Sequence, residues 1–85
     1  MRYEVDPLAF TPVYRQIAAV LTDRIRCGEL VPQQQMPSEI HLADEFGVAR
    51  ETVRRAIASL REAGLVLTVA RRGTYVAGPD AARDA

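Results

Sequence analysis

The stretch Glu39–Leu60 reads EIHLADEFGVARETVRRAIASL and carries two short helical patterns separated by a break. The apolar residues of the first pattern lie on one helical edge: Leu42, Ala43 and Phe46. The second pattern has an apolar stripe at helical spacing: Val53, Ala56, Ile57, Leu60 and Ala63. Gly47 lies between them, where a glycine can adopt the positive φ that ends a helix. The stretch therefore predicts a helix-turn-helix.

The second of these helices, predicted over Arg50–Ala63 and closed by Gly64, has a basic outer surface. Arg50, Arg54 and Arg55 lie outside its apolar stripe. This layout is typical of a helix that enters the major groove of DNA. The alternative is an ordinary solvated helix face, in which Glu51 pairs with Arg55 four residues later.

The charge of the chain is balanced overall but unevenly distributed. The 85 residues carry 11 basic and 11 acidic side chains. Residues 1–49 have a net charge of −3, residues 50–72 of +4 and residues 73–85 of −1. A local basic patch, rather than the sum over the chain, determines electrostatic attraction to nucleic acid. All the basic residues are Arg, which suits bidentate contacts to phosphate or guanine, although the bias of a GC-rich genome explains the absence of Lys equally well.

Upstream of the helix-turn-helix, the sequence predicts an extended lead-in over residues 1–10 and then a first helix. Thr11 is the predicted N-cap of this helix and Pro12 its first residue. Its apolar residues recur at helical spacing: Val13, Ile17, Val20, Leu21 and Ile25. Arg24 lies near that stripe, where we expect its stem to pack and its guanidinium to reach solvent. Gly28 ends the helix.

The connector over residues 29–37 contains two prolines and three glutamines. A very short strand is predicted near Gln35-Met36. Ser38 is the predicted N-cap of the next helix, although His41 stands where a capping box has Glu or Gln. As the only histidine, His41 is interpreted as a surface side chain.

Downstream, residues 65–70 and 74–77 are rich in β-branched residues and predict two strands around the tight loop Arg71-Arg72-Gly73. Three helices and a hairpin make a winged helix-turn-helix, a mainly α fold with a small β-hairpin, over residues 11–77. Arg71 and Arg72 then lie at the wing tip, as DNA contacts or as plain turn residues. Tyr75 is interpreted as a core or strand-pairing residue. Residues 78–85 are expected to form a disordered tail.

Several classes of function lack support in the composition. The single cysteine, Cys27, forms no internal disulfide and fits a reducing cytoplasm. The N-terminus lacks the apolar run of a signal peptide, and no apolar window is long enough to span a membrane. One His, one Cys and no paired carboxylates provide no nucleophile–base arrangement. We therefore expect a cytoplasmic protein that is not an enzyme and has neither cofactor nor metal.

A series of motifs resembles the N-terminal DNA-binding domain of the GntR family of bacterial transcription regulators. The matching segments keep the family's order and spacing: residues 12–18 (PVYRQIA), 28–30 (GEL), 36–39 (MPSE), 42–48 (LADEFGV), 50–56 (RETVRRA), Leu60, 64–66 (GLV) and 72–76 (RGTYV). One helix-turn-helix pattern is weak evidence, whereas this series is specific.

The resemblance implies a repressor-like regulator that binds a short inverted repeat of double-stranded DNA as a homodimer. It implies that Arg50 and Arg54 contact DNA, Arg50 by reading a guanine, while Thr52 and Arg55 lie near the backbone. The resemblance also implies that the wing glycine, Gly73, approaches the minor groove. The full predicted DNA-binding set is Ser38, Arg50, Glu51, Thr52, Arg54, Arg55, Arg71, Arg72 and Gly73.

The chain departs from the family pattern at three positions. Ile40 stands where the family often has a DNA-contacting Arg, so one anchor is missing. Ala49 replaces the usual Ser or Thr cap of the recognition helix. Arg71 replaces the first glycine of the wing, where a phosphate or minor-groove contact would compensate.

The length also departs from the family pattern, because members normally continue into an effector-binding domain that provides the dimer contact. We therefore expect no small-molecule effector domain in this chain and a dimer formed through the winged domain or only on DNA. The competing hypothesis is a winged-helix module for protein–protein binding, which predicts an exposed apolar or acidic third helix.

Overall fold

The computed structural model describes residues 5–78 and contains three helices followed by one β-hairpin. The helices are α1 (Val13–Arg26), α2 (Glu39–Phe46) and α3 (Arg50–Glu62). Strands β1 (Val66–Val69) and β2 (Gly73–Val76) pair antiparallel, with Val66 opposite Val76 and Val69 opposite Gly73. This architecture confirms the predicted winged helix-turn-helix. No helix within residues 5–78 has the length and apolar character needed to cross a lipid bilayer.

The core lies where α3 packs against α1 and α2, with the hairpin closing one side. Its fully buried side chains come from every one of these elements: Ile17, Leu21, Leu42, Val53, Leu60 and Val76. The helical periodicity of the sequence identified the buried side of each helix correctly. Ala63 is the exception, because it is the C-cap residue of α3 and is exposed.

The start of α1 differs by one residue from the prediction. Pro12 is the N-cap, with φ −56° and ψ 147°, and its carbonyl accepts from the N–H groups of Arg15 and Gln16 at 3.0 and 3.2 Å. Thr11 is therefore outside the helix and caps nothing. The extended ψ of Pro12 is the physical reason, since a helical residue needs ψ near −42°.

The lead-in is not extended over its described part. The Ala9 N–H donates to the Asp6 carbonyl at 3.2 Å, which closes a turn over Asp6–Ala9. Gln16 of α1 then binds the main chain of Asp6 in both directions, as acceptor through Oε1 and as donor through Nε2, each at 2.8 Å. An Asp-Pro pair favours turns as well as extended chain, and the contact with Gln16 selects the turn. Residues 1–4 lie outside the described part of the chain.

The turn between α2 and α3 has the predicted glycine cap. Gly47 lies in the left-handed region at φ 67° and ψ 39°, and its N–H donates to the Asp44 carbonyl at 3.3 Å. The next N–H, of Val48, donates to the Ala43 carbonyl at 3.0 Å, so these two carbonyls in the last turn of α2 are satisfied. At the other end of α2, Ser38 is the N-cap, and its Oγ accepts from the His41 N–H at 3.1 Å.

Arg24 is buried rather than directed to solvent, which corrects the prediction. Its guanidinium is paired with Glu45 of α2 through Nη2, and its Nη1 donates to the same carboxylate at 3.3 Å. The guanidinium carbon of Arg24 also lies 5.7 Å from the ring centroid of Phe46. Its Nε lies 3.4 Å from a carboxylate oxygen of Glu29. Helical spacing placed Arg24 near the stripe, but its pair with Glu45 forms because α1 and α2 both pack against α3.

The wing is attached to the connector as well as to β1. Gln35 forms an isolated bridge with Tyr75, and the Met36 N–H donates to the Thr74 carbonyl at 2.8 Å. The strand predicted near Gln35-Met36 is therefore one bridge long. Tyr75 pairs with Leu67 across the hairpin and is half-buried, as predicted. Gly78 is buried against Gln33, so the described chain remains packed to that residue, and the remainder of the predicted tail, residues 79–85, lies outside it.

Candidate nucleic-acid interface

An open cleft of about 680 Å³ lies between the start of α2, the outer surface of α3 and the start of β2. Its floor includes buried apolar side chains of the core, among them Met36, Leu42 and Ile57. Its walls carry the charged residues Glu39, Arg50, Glu51, Arg54, Arg55 and Arg61. Gly73 and Thr74 of the wing complete the lining. The structure thus brings most of the predicted DNA-binding residues to one surface.

Glu39, at the start of α2, holds the two principal arginines of α3. Its Oε1 lies 3.6 Å from Arg50 Nη2 and 3.2 Å from Arg54 Nε. Both arginine side chains remain more than half exposed. The hydrogen bond and charge of Glu39, supported by the charge of Glu51, raise the pKa of Arg54 above its ordinary value, so that it stays cationic. Helical spacing does not reveal this role of Glu39, because its contacts cross between two helices.

Glu51 pairs with a different arginine from the one that spacing predicted. Its Oε1 lies 3.3 Å from Arg54 Nη1, three residues away, while the predicted pair with Arg55 does not form. Arg55 instead lies over the ring of Tyr14 in α1, with its guanidinium carbon 4.4 Å from the ring centroid. A cation is attracted to the negative face of an aromatic ring, and this contact turns Arg55 toward α1.

Tyr14 contacts a second arginine on the surface of α1. Its hydroxyl accepts from Arg15 Nε at 3.2 Å, and the Arg15 guanidinium carbon lies 5.8 Å from the ring centroid. The basic surface therefore extends from α3 onto the start of α1. The amino-acid sequence gives no signal for this extension, since the pairing of Tyr14 with Arg55 joins residues far apart in the chain.

The wing tip presents two exposed arginines on a constrained turn. The Arg72 N–H donates to the Val69 carbonyl at 3.0 Å, and Arg71 adopts φ 66° within that turn. Gln35 Nε2 donates to the Arg72 carbonyl at 2.9 Å, which connects the tip to the body of the domain. A Cβ on Gly73, whose φ is 117°, would lie 3.0 Å from the same amide nitrogen. Glycine at this position therefore allows the connector to approach the wing closely.

The two remaining residues of the predicted DNA-binding set, Ser38 and Thr52, lie at the starts of α2 and α3. Ser38 uses its hydroxyl oxygen as the cap of α2 and faces the cleft. Thr52 is half-buried in the first turn of α3, where its N–H donates to the Ala49 carbonyl at 3.1 Å. Ala49 is the N-cap and provides no side-chain hydrogen bond. Ile40 borders the cleft and is 63% exposed, so an apolar side chain stands where the resemblance expects an arginine.

Relatives in sequence are regulators of transcription. Residues 13–76 match the family described as "Bacterial regulatory proteins, gntR family". The chain is 43% identical over 68 residues to the HTH-type transcriptional repressor NagR of Bacillus subtilis, covering 80% of this chain and 28% of that protein. It is 45% identical over 65 residues to the mannosyl-D-glycerate transport/metabolism system repressor MngR of Escherichia coli, covering 76% and 27%. The chain thus spans little more than a quarter of these relatives.

Solved structures with the same fold include protein–DNA complexes. AraR(DBD) in complex with operator ORX1 is 35% identical, has a TM-score of 0.82 and is matched over 89% of this chain and 96% of that chain. YtrA from Sulfolobus acidocaldarius, a GntR-family transcription factor, is 35% identical with a TM-score of 0.79, over 87% and 78%. Since the family match covers most of the chain and the fold agrees, the protein belongs to the GntR family, whose members are DNA-binding transcription regulators and not enzymes.

Proposed function

We propose that this chain is the DNA-reading domain of a transcriptional repressor in the cytoplasm, and that two copies bind a short inverted repeat. The recognition helix α3 enters the major groove, and the wing approaches the minor groove. Repression is suggested by the relatives NagR and MngR, both named as repressors. DNA as the partner is supported by the operator complexes of AraR(DBD).

The observation that carries the proposal is the exposed arginine surface of α3. Val53, Ala56 and Leu60 are buried against the rest of the domain, so the opposite side is left to contact a ligand. That side presents Arg50 and Arg54, each more than half exposed. A major groove about 12 Å wide admits one helix, and an arginine fork matches O6 and N7 of guanine. An exposed apolar or acidic α3, which a protein-binding module requires, is not present.

The wing and α1 supply backbone contacts in this arrangement. Arg71 and Arg72 are exposed at the tip, next to Gly73, where close approach to the minor groove is sterically possible. Arg55 and Arg15 both contact the ring of Tyr14 and extend the basic surface beyond the cleft. Phosphate contacts of this kind fix the orientation of a protein on the duplex and provide affinity for any sequence.

The size of the reading element supports the proposed dimer. The 13 residues of α3 span about 20 Å, which is less than one turn of B-DNA. One copy therefore reads one half-site, and a second copy related by a two-fold axis reads the other. The predicted stoichiometry is two chains for each palindrome.

Selection of bound sites from random duplexes tests this function. The selected sites should contain an inverted repeat, and sedimentation of the complex should give two chains per duplex. Affinity should fall steeply with salt, with log K decreasing by about 0.9 per log unit of salt for each phosphate neutralised. One chain bound to a full palindrome contradicts the dimer. No binding even at low salt contradicts the function and favours the protein-binding module.

Arg50→Ala tests the base contact. We expect a loss of about 1–3 kcal/mol on the selected site and a relaxed preference at one base pair, because a bidentate guanine contact is removed. The control is Arg26→Ala, which removes an exposed arginine at the end of α1, away from the cleft. Equal losses of affinity on selected and random duplexes would show that Arg50 contacts only the backbone.

A further inference from the structure

Glu39 joins the two helices of the helix-turn-helix through ion pairs. It is the first residue of α2, and its single Oε1 atom contacts both Arg50 and Arg54 of α3, at 3.6 and 3.2 Å. One carboxylate of α2 thus holds two cations of the surface that the proposed function assigns to DNA. Arg54 is also paired with Glu51 at 3.3 Å.

These ion pairs contribute little to folding, because all the side chains involved are accessible to water. The exposed fractions are 55% for Arg50, 52% for Arg54 and 38% for Glu39. Exposed pairs are screened by solvent and salt, and many have no measurable effect on stability. Their position in the cleft is consistent with a role in binding instead.

A DNA phosphate and the Glu39 carboxylate compete for the same donors. Both are anionic acceptors that guanidinium groups bind through charged hydrogen bonds. A phosphate that approaches Arg50 or Arg54 must therefore replace Glu39 or lie close to its negative charge. This opposition applies to every DNA sequence, whether or not the bases fit.

We propose that Glu39 is a specificity-determining residue, which lowers the affinity of Arg50 and Arg54 for phosphate while orienting them toward base edges. The inference rests on the proposed function. Arginine has five N–H donors; Glu39 engages Nε of Arg54 and Nη2 of Arg50, and Glu51 engages Nη1 of Arg54, so each guanidinium keeps other N–H groups for guanine. The same donors are open to a phosphate, but O6 and N7 of guanine are neutral acceptors, whereas a phosphate is repelled by the charge of the Glu39 carboxylate. The presence of Glu39 therefore leaves the affinity of the protein for the selected site nearly unchanged and lowers its affinity for random DNA.

Glu39→Gln tests the inference, because it removes the charge and preserves the size of the side chain. We expect the Kd for a random duplex to fall about three- to tenfold at low salt, since about one arginine is released for phosphate binding. The salt dependence on random DNA should steepen by about 0.9 for each additional phosphate contact. The Kd for the selected site should fall less, so the ratio of the two affinities declines.

Two further variants separate this effect from a general change of charge. Asp23→Asn removes one negative charge from the exposed surface of α1, outside the cleft. It should change both affinities slightly and by the same factor. Glu51→Gln removes an acid that contacts one arginine, whereas Glu39 contacts two. We expect it to lower the Kd for random DNA as Glu39→Gln does, but by a smaller factor. Thermal unfolding of each variant should remain close to that of the parent protein.

Three results distinguish the possibilities. The inference is overturned if Glu39→Gln and Asp23→Asn change the Kd for random DNA equally, since charge alone then explains the effect. It is also overturned if Glu39→Gln weakens binding to the selected site without strengthening binding to random DNA, which is the behaviour of a direct base contact. Failure of the parent protein to prefer any selected site defeats the proposed function itself, before any variant is compared.

Discussion

At the scale of the residue, Arg71 adopts a backbone conformation that favours glycine. Its φ of 66° places it in the left-handed region, at the third position of the turn Val69–Arg72. A side chain with a Cβ costs about 1–2 kcal/mol in that region. The chain nevertheless keeps an arginine at the tip, which is consistent with the phosphate contact proposed for it.

Arg71→Gly should separate stability from binding. We expect the free energy of unfolding to rise by about 0.5–1 kcal/mol, because the strain is relieved and part of the gain is offset by the greater freedom of glycine in the unfolded chain. Affinity for selected and random duplexes should fall together, with a salt slope smaller by about 0.9. Urea unfolding and binding titrations measure the two effects.

The matched control is Arg72→Gly, whose φ is not positive. It removes the neighbouring charge without relieving strain, so its stability should remain equal or decrease. A destabilised Arg71→Gly protein would show that the arginine side chain makes a stabilising contact in the folded domain.

At the scale of the element, α3 begins without a side-chain cap. Ala49 is its N-cap at φ −71° and ψ 151°, the geometry from which a serine hydroxyl accepts an N–H of the first turn. By contrast, Ser38 caps α2 in this way. In α3 the Thr52 N–H donates to the Ala49 carbonyl at 3.1 Å instead, so the recognition helix begins without the support of a side-chain acceptor.

Ala49→Ser should stabilise the domain by about 1 kcal/mol, because the new hydroxyl can accept from the Thr52 N–H. For a domain of this size the melting temperature should rise by about 4–8 °C. Calorimetry on the variant measures both quantities. Ala19→Ser, in the exposed interior of α1, is the control and should lower stability by a few tenths of a kcal/mol. Equal changes in stability in the two variants would show that the serine hydroxyl at position 49 does not cap α3.

At the scale of the whole molecule, Arg24 links α1 to the helix-turn-helix. Its pair with Glu45 crosses from α1 to α2, and the exposed fractions of the two side chains are 9% and 16%. Because water is largely excluded, removal of one partner leaves a charge that is poorly solvated. The pair thus adds a polar contact between α1 and α2 to the apolar core that holds the helices together.

Arg24→Ala should therefore lower the free energy of unfolding by about 3 kcal/mol, measured as a lower urea midpoint at unchanged slope. The double variant Arg24→Met, Glu45→Leu should recover most of that loss, since it leaves no unpaired charge. Arg26→Met, on the exposed side of the same helix, should stay within about 0.5 kcal/mol of the parent. If the double variant is as unstable as Arg24→Ala, the unpaired carboxylate of Glu45 is not the cause of the destabilisation.

Most of the fold, and the surface on which binding is proposed, could be predicted from the amino-acid sequence. Helical periodicity identified the buried residues Val53, Ala56 and Leu60, and local turn chemistry identified Gly47 and Ser38. These features depend on residues within a few positions of one another, which is why spacing reveals them. They also sufficed to place Arg50 and Arg54 on the exposed side of the recognition helix.

The partners of the charged residues could not be predicted from the amino-acid sequence. Glu39 with Arg54, Arg55 with Tyr14 and Arg24 with Glu45 join residues that are 15, 41 and 21 positions apart. Helical spacing predicted a pair of Glu51 with Arg55 instead, because the pattern within α3 contains no information about the Tyr14 ring of α1. Ion-pair choice depends on the distance between packed helices, and that distance is set by the core rather than by the charged residues themselves.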